Sequence, residues 1–169
     1  MENFQDFNLI QSGELTAVRH GLFNPTFEIT DGQMNYGQVI TKKTSSTDRG
    51  AFETSKERWV LKREDKIITL SNSRSENIGL LEDNGRILQL NNGFEATISV
   101  HGGGRSAVLS SWKNKQGNEL VNFKQSAYSY RRPYTITFDP ALLKTVLEIP
   151  LLVLLGIHLS FLKQTRRYI

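Results

Sequence analysis

An all-β barrel of about twelve antiparallel strands, closed around a hydrophobic C-terminal helix, is the fold this chain predicts, on three observations. Short strand-like runs recur between Glu14 and Phe138, each closed by glycine, asparagine or aspartate. Several of them alternate apolar and polar side chains with a period of two, as half-buried strands do. The chain then changes character at Asp139-Pro140 and reaches an oil-rich stretch, Ile149 to Leu162, which holds no charge and whose only plainly polar members are His158 and Ser160.

Composition bounds the reading. A domain of about 150 residues buries roughly 70% of its unfolded surface, so a chain of 169 residues needs no staple. No linker or low-complexity tract divides it, and residues 1–169 are read as one domain and as a monomer. Cysteine is absent, which excludes disulfides, thiolate metal sites, a cysteine nucleophile and palmitoylation, and fits a reducing compartment. The opening Met1-Glu2-Asn3-Phe4-Gln5-Asp6-Phe7-Asn8-Leu9-Ile10 has no basic stretch followed by an apolar run, so no secretory signal is read there and the cytoplasm is the expected location. The 21 lysines and arginines exceed the 17 acids by only four, too small a surplus to support nucleic-acid binding.

Taken in order, the strand runs are Glu14 to Arg19, Thr26 to Thr30, Met34 to Thr41, Ala51 to Thr54, Arg58 to Lys62 and Lys66 to Ser71. They continue with Asn77 to Glu82, Arg86 to Leu90, Phe94 to Val100, Ser106 to Lys113, Glu119 to Lys124 and Tyr134 to Phe138. Phe27 and Ile29, Trp59 and Leu61, and Tyr134, Ile136 and Phe138 each place every second side chain on one face. Asp83-Asn84-Gly85, Asn91-Asn92-Gly93 and Asn114-Lys115-Gln116-Gly117-Asn118 supply residues that tolerate positive φ, as tight hairpins demand, so an antiparallel meander is the economical topology. Thr41 to Asp48 lacks apolar periodicity and reads as a mobile loop.

A helix is predicted over about 140–163. Asp139 suits the N-cap, Pro140 the first helical position, and Ala141 to Glu148 follow with strong helix formers. Pro150 is expected to kink it, because the ring removes a backbone donor and crowds the carbonyl of Val146. Lys163, Arg166 and Arg167 then suit its negative end.

Ile149 to Leu162 is about 21 Å of helix, against roughly 30 Å of hydrocarbon in a bilayer, which favours burial in protein. Extension back to Leu142 reaches a spanning length but draws in Lys144 and Glu148, which are costly at depth. A helix apolar on every side needs an apolar surround, and a closed sheet of about twelve strands supplies one while removing edge strands. The alternative, a tail-anchored membrane protein with a cytoplasmic β domain and Leu142 to Leu162 in the bilayer, stays open at this point.

Few constellations carry chemistry. His101-Gly102-Gly103-Gly104 matches the letters of a hydrolase oxyanion loop, but no Gly-x-Ser-x-Gly elbow and no alternating βα pattern accompany it, so a flexible hairpin loop is the expectation. His20, His101 and His158 are scattered, with no ligand spacing for a metal, and His158 reads as a core histidine bonded to a carbonyl. No phosphate loop, dinucleotide fingerprint or calcium loop is present. The reading is therefore no enzyme, no cofactor and no metal.

The strongest candidate is electrostatic. With Trp59 and Leu61 facing inward, Arg58 and Lys62 face outward about 13 Å apart, and Lys42 and Lys43 are expected nearby. Such a face could hold an anionic group, arginine giving paired donors and lysine a point charge.

The chain also resembles the superfamily of tubby C-terminal domains, phospholipid scramblases and LURP-one-related proteins. The likeness covers Leu15 to Leu162. It rests on Phe27-Glu28-Ile29-Thr30-Asp31-Gly32 followed by Tyr36-Gly37-Gln38-Val39, on Asn77-Ile78-Gly79 and Asp83-Asn84-Gly85-Arg86-Ile87, and on the segment from Asp139-Pro140 to Leu162. The resemblance implies a twelve-stranded barrel around a C-terminal helix and, from the tubby branch, an exterior that takes phosphoinositide headgroups, although that branch's binding residues do not map one by one onto this chain. The scramblase features of a cysteine cluster and an acidic calcium segment are missing, so calcium-driven scrambling is not implied. The expected function is a non-enzymatic binding or scaffolding domain for anionic phospholipid at a membrane surface, with Arg58, Lys62, Lys42 and Lys43 as its contacts.

Overall fold

The computed structural model describes residues 3–43, 48–103, 106–127 and 132–166. Their strands are β1 (Glu14–His20), β2 (Thr26–Thr30), β3 (Asn35–Lys43), β4 (Asp48–Thr54), β5 (Arg58–Glu64) and β6 (Ile67–Asn72). The sheet continues with β7 (Asn77–Glu82), β8 (Ile87–Leu90), β9 (Glu95–Gly103), β10 (Ser106–Asn114), β11 (Glu119–Gln125) and β12 (Tyr134–Thr137). Two helices follow, α1 (Leu142–Thr145) and α2 (Ile149–Arg166), and short 3-10 turns lie at Phe7–Leu9 and Asp83–Gly85.

Each strand pairs antiparallel with its sequence neighbours, and β12 returns to β1 with Leu15 opposite Ile136, which closes the barrel. Alternation along the strands sends Leu15 and Ala17, Phe27 and Ile29, Trp59 and Leu61, and Tyr134 and Ile136 to the interior, all nearly solvent-free. The interior they form is occupied by α2, whose residues from Leu151 to His158 are buried on every side of the helix. No described helix is long and apolar enough to cross a membrane. The bilayer-spanning placement of Leu142 to Leu162 therefore gives way to burial inside the barrel: the apolar surface meets strands instead of lipid.

Three polar contacts fix how α2 is rotated. Trp112 Nε1 donates to the Leu152 carbonyl at 2.9 Å, the Ser110 and Ser160 hydroxyls are 2.7 Å apart, and His158 Nδ1 lies 3.3 Å from Thr41 Oγ1. Buried polar atoms are costly unless partnered, so a rotation of the helix that parted these pairs would be penalised several times over. Close approach does the rest. A Cβ on Gly156 would overlap the Phe123 ring and lie 2.8 Å from Trp112 Nε1, and one on Gly50 would lie 2.9 Å from His158 Cε1. Helix and wall approach this closely only where glycine allows it.

Several boundaries differ from the sequence expectation. The helix predicted as one kinked rod is two, because Val146 is extended (φ −118°, ψ 95°) after the four residues of α1. Pro150 sits in the first turn of α2, where its missing N–H has no helical acceptor to lose, so it starts the helix and does not kink it. Asp139 does cap this region, its Oδ1 accepting from the Ala141 N–H at 2.9 Å. β3 and β4 extend toward each other to Lys43 and Asp48, leaving only 44–47 of the expected loop, outside the described residues. His101, Gly102 and Gly103 end β9 instead of forming a hairpin loop.

The two ends of the barrel differ. At the proximal end, where β1 begins, the N-terminal segment buries its own Phe7 and Ile10. That segment is tied down by the Gln5 N–H to the Asn35 carbonyl (2.8 Å), by Lys56 to Asp6 (2.6 Å) and by the Phe7 ring edge-on to Tyr36 (centroids 6.0 Å). α1 closes the same end beside the 3-10 turn Phe7–Leu9. The distal end receives the C-terminal turns of α2.

The grip on α2 is testable. Gly156→Ala is expected to cost about 1–3 kcal/mol by overpacking, and each kcal/mol lowers the melting temperature of a domain of this size by about 2–4 °C. Calorimetry showing an unchanged melting temperature would mean that the Phe123 ring yields freely and that the wall does not clamp the helix there.

Candidate functional site

Inter-strand register decides which exterior charges meet. Directly opposed residues in an antiparallel sheet have Cβ atoms about 4.5–5.5 Å apart. Lys42 on β3 opposes Arg49 on β4, and Arg49 opposes Lys62 on β5, so three cations stand in one row across three strands near the distal end. Like charges in such a row repel, so holding them together without full compensation is a cost that a bound anion would relieve.

The sequence-predicted residues divide between two rows. Arg58 and Lys62 share the outward face of β5, on which Trp59 and Leu61 point inward. Arg58, however, opposes Glu53, which opposes Gln38, and its Nε lies 3.2 Å from Glu53 Oε1 while Gln38 Nε2 donates to Glu53 Oε2 at 2.7 Å. Its charge is engaged in that row, and Lys62 belongs with Lys42 and Arg49. Lys43 ends β3 beyond Lys42, and its side chain lies outside the described residues, as do Arg131 and Arg167. Arg49 is the member that sequence reasoning passes over. Starting β4 at Asp48 would have found it, since the β3–β4 hairpin then sets it opposite Lys42.

One acid belongs to the row. Glu64, two residues beyond Lys62 on the same outward face, forms an ion pair with the Lys62 ammonium. This bond, with the field of Lys62 and Arg49, holds the Glu64 carboxyl below the usual glutamate range. The pair is exposed and contributes little to stability, so Glu64 is a movable counterion for Lys62.

Apolar side chains flank the row on the same end. The β1–β2 turn presents Leu22 at 59% exposure and Phe23 at 90%, and the start of β6 presents Ile67 at 66%; Leu147 and Leu9 are exposed to a similar degree at the opposite end, where no such row of cations accompanies them. In the strand order Leu22, Phe23 and Ile67 lie at either end of the arc from β2 through β5 that carries Lys42, Arg49 and Lys62. The first turn is held firmly. Arg19 donates from Nη2 to the Leu22 carbonyl (2.8 Å) and from Nε to the Gly21 carbonyl (3.3 Å), and its guanidinium lies 5.2 Å from the centre of the Phe161 ring of α2. Phe23 is thus displayed on a turn fastened to the buried helix.

The histidines do not assemble. His20 pairs with Glu28 across β1–β2 at 3.2 Å, His101 is exposed on β9, and His158 is buried in α2. Among the described residues no three of histidine, cysteine, aspartate and glutamate gather as a metal site. Neither family models, nor curated proteins, nor solved structures match this chain.

The counterion role of Glu64 has a direct readout. In an NMR titration its side-chain carboxyl is expected to titrate below an ordinary glutamate and to move up toward 4.5 when Lys62→Ala removes its largest partner. No movement in that variant would place Glu64 outside the row.

Proposed function

We propose that the chain is a non-enzymatic binding domain that docks its distal end on membranes rich in anionic phospholipid. The observation that carries this reading is the arc itself, three opposed cations between two sets of exposed apolar side chains. A cation near an acidic bilayer contributes about 1 kcal/mol, and exposed Phe and Leu side chains gain by entering the headgroup boundary. Neither element suits plain solvent: the row repels itself, and Phe23 is apolar and nine-tenths exposed. The resemblance to tubby-like domains supports the same class of ligand and adds phosphoinositides as a headgroup whose clustered phosphates match clustered cations. The acidic cytoplasmic leaflet is the surface such an arc fits, which makes the protein a peripheral cytoplasmic one in this proposal.

Vesicle co-sedimentation tests it. Binding to phosphatidylcholine vesicles is expected to be weak, and to strengthen when phosphatidylserine or a phosphoinositide is added. It should fall with salt, as screening shortens the reach of the charges to about 10 Å at 0.1 M. Changing Lys42, Arg49 and Lys62 together to glutamate should weaken binding by at least about 100-fold, from about 1 kcal/mol per cation lost. Phe23→Ser should weaken it with no change in salt dependence, Arg58→Glu should matter far less, and Glu64→Gln should strengthen it by freeing Lys62. Binding that ignores salt and the triple change would reject the proposal.

A further inference from the structure

α2 does not fill the barrel evenly. It lies closest to β3 and β4 on one side and to β9, β10 and β11 on the other. In the arc between them, at the distal end, a half-open cavity of about 600 Å³ remains between the last turns of α2, β5, β6 and the turn Asp83–Gly85. Its origin is a mismatch of strand lengths. β8 has four residues and β9 has nine, so β9 runs on past its partner. The Ile98 N–H still donates to the Arg86 carbonyl at 2.8 Å, but two residues further the Val100 carbonyl accepts from Lys163 Nζ of α2 at 3.0 Å. A side chain stands where a strand would have been, and the space beside it is the cavity.

The lining is two-sided. Leu61 and Ile68 from the wall face Leu159 and Leu162 from the helix, while Arg63 and Lys163 bring positive charge to the same space. Arg63 follows Trp59 and Leu61 in the inward alternation of β5, an unusual place for a guanidinium, and its Nε donates to the Asp65 carbonyl at 3.2 Å. Among the described residues no carboxylate lies within ion-pair distance of it. The acid on the lining, Asp83, stands 3.9 Å from Arg86.

We propose that this cavity binds an anionic amphiphile with one alkyl chain, the chain lying among Leu61, Ile68, Leu159 and Leu162 and a carboxylate or phosphate head meeting Arg63 and Lys163. The volume is within the ~300–1,000 Å³ of small-molecule sites, which are mostly apolar with a few placed polar groups. A charged head makes charge-assisted hydrogen bonds to a partly buried arginine that a neutral ligand does not. The site is distinct from the exterior arc: Lys62 and Arg63 adjoin in sequence, and alternation turns them to opposite faces of β5.

Calorimetric titration of the full chain with dodecanoate and dodecyl phosphate below their micelle concentrations, and with dodecanol below its solubility limit, tests the site. The two anions should bind, and dodecanol should bind about tenfold more weakly, the loss of a charged hydrogen bond. The tighter anion identifies the head as carboxylate or phosphate. Arg63→Glu should reduce both anions to dodecanol's level or below and leave dodecanol unchanged. Ile68→Trp, which fills the space, should abolish all three with no fall in melting temperature; should that variant be unstable, Leu61→Phe provides the same obstruction with less bulk. The triple change of Lys42, Arg49 and Lys62 to glutamate should leave amphiphile binding intact, so failure here is separable from failure of membrane docking. Anions binding no better than dodecanol, or binding that survives the filled cavity, would overturn the inference.

Discussion

A helix that is apolar on every side has no face to offer water, and that constraint organises the molecule. A single sheet face could cover only one side of α2; a closed wall covers all of it. The wall must be wider than eight strands, because eight-stranded barrels fill with their own side chains, and it is twelve strands wide. It must also supply specificity, since an oily cylinder in an oily tube could turn or slide. Trp112, Ser110 and Thr41 reach in to named atoms of the helix, and Gly50 and Gly156 set how near the two can come. A few polar contacts and two missing methyl groups thus distinguish one seating from many near-equivalent ones.

The same burial separates the surface into unlike ends. The proximal end is finished by Phe7, Ile10 and α1, which complete the core while Leu9 and Leu147 stay exposed beside them. At the distal end, strands of unequal length, the C-terminal turns of α2 and the turns between strands leave cations and apolar groups displayed. Because β5 alternates, it serves both sides of the wall there, Lys62 outside and Arg63 inside.

How much of this could be read from the chain follows from the range of each interaction. All twelve strands were legible, since period-two alternation and Asn-Gly or Asp-Gly turns are local signals, and the barrel followed from asking what could hide Ile149 to Leu162. Strand ends were less legible. β4 begins at Asp48 because β3 offers it a partner there, and Asp48, Arg49 and Gly50 have no strand preference of their own. The break at Val146 was hidden by strong helix formers on both sides, where tertiary packing overrides propensity. Phe7 and Ile10 gave no periodic pattern, so the proximal plug went unseen. Of the site, parity alone showed Arg58 and Lys62 to be outward, but their division into separate rows, and the place of Arg49, depend on register between strands. The cavity arises from a strand-length mismatch and has no signature in one sequence.

The order of elements along the chain has a consequence for biosynthesis. The wall is made before its filling, and the seam joins Glu14 to Thr137, the first strand to the twelfth. A nascent chain that has emerged only as far as β12 therefore holds a curved sheet whose greasy concave side has nothing to cover it until α2 follows. Completion of the core waits for α2, and a chain cut before Ile149 is not a smaller protein but an empty shell suited to chaperones and proteases.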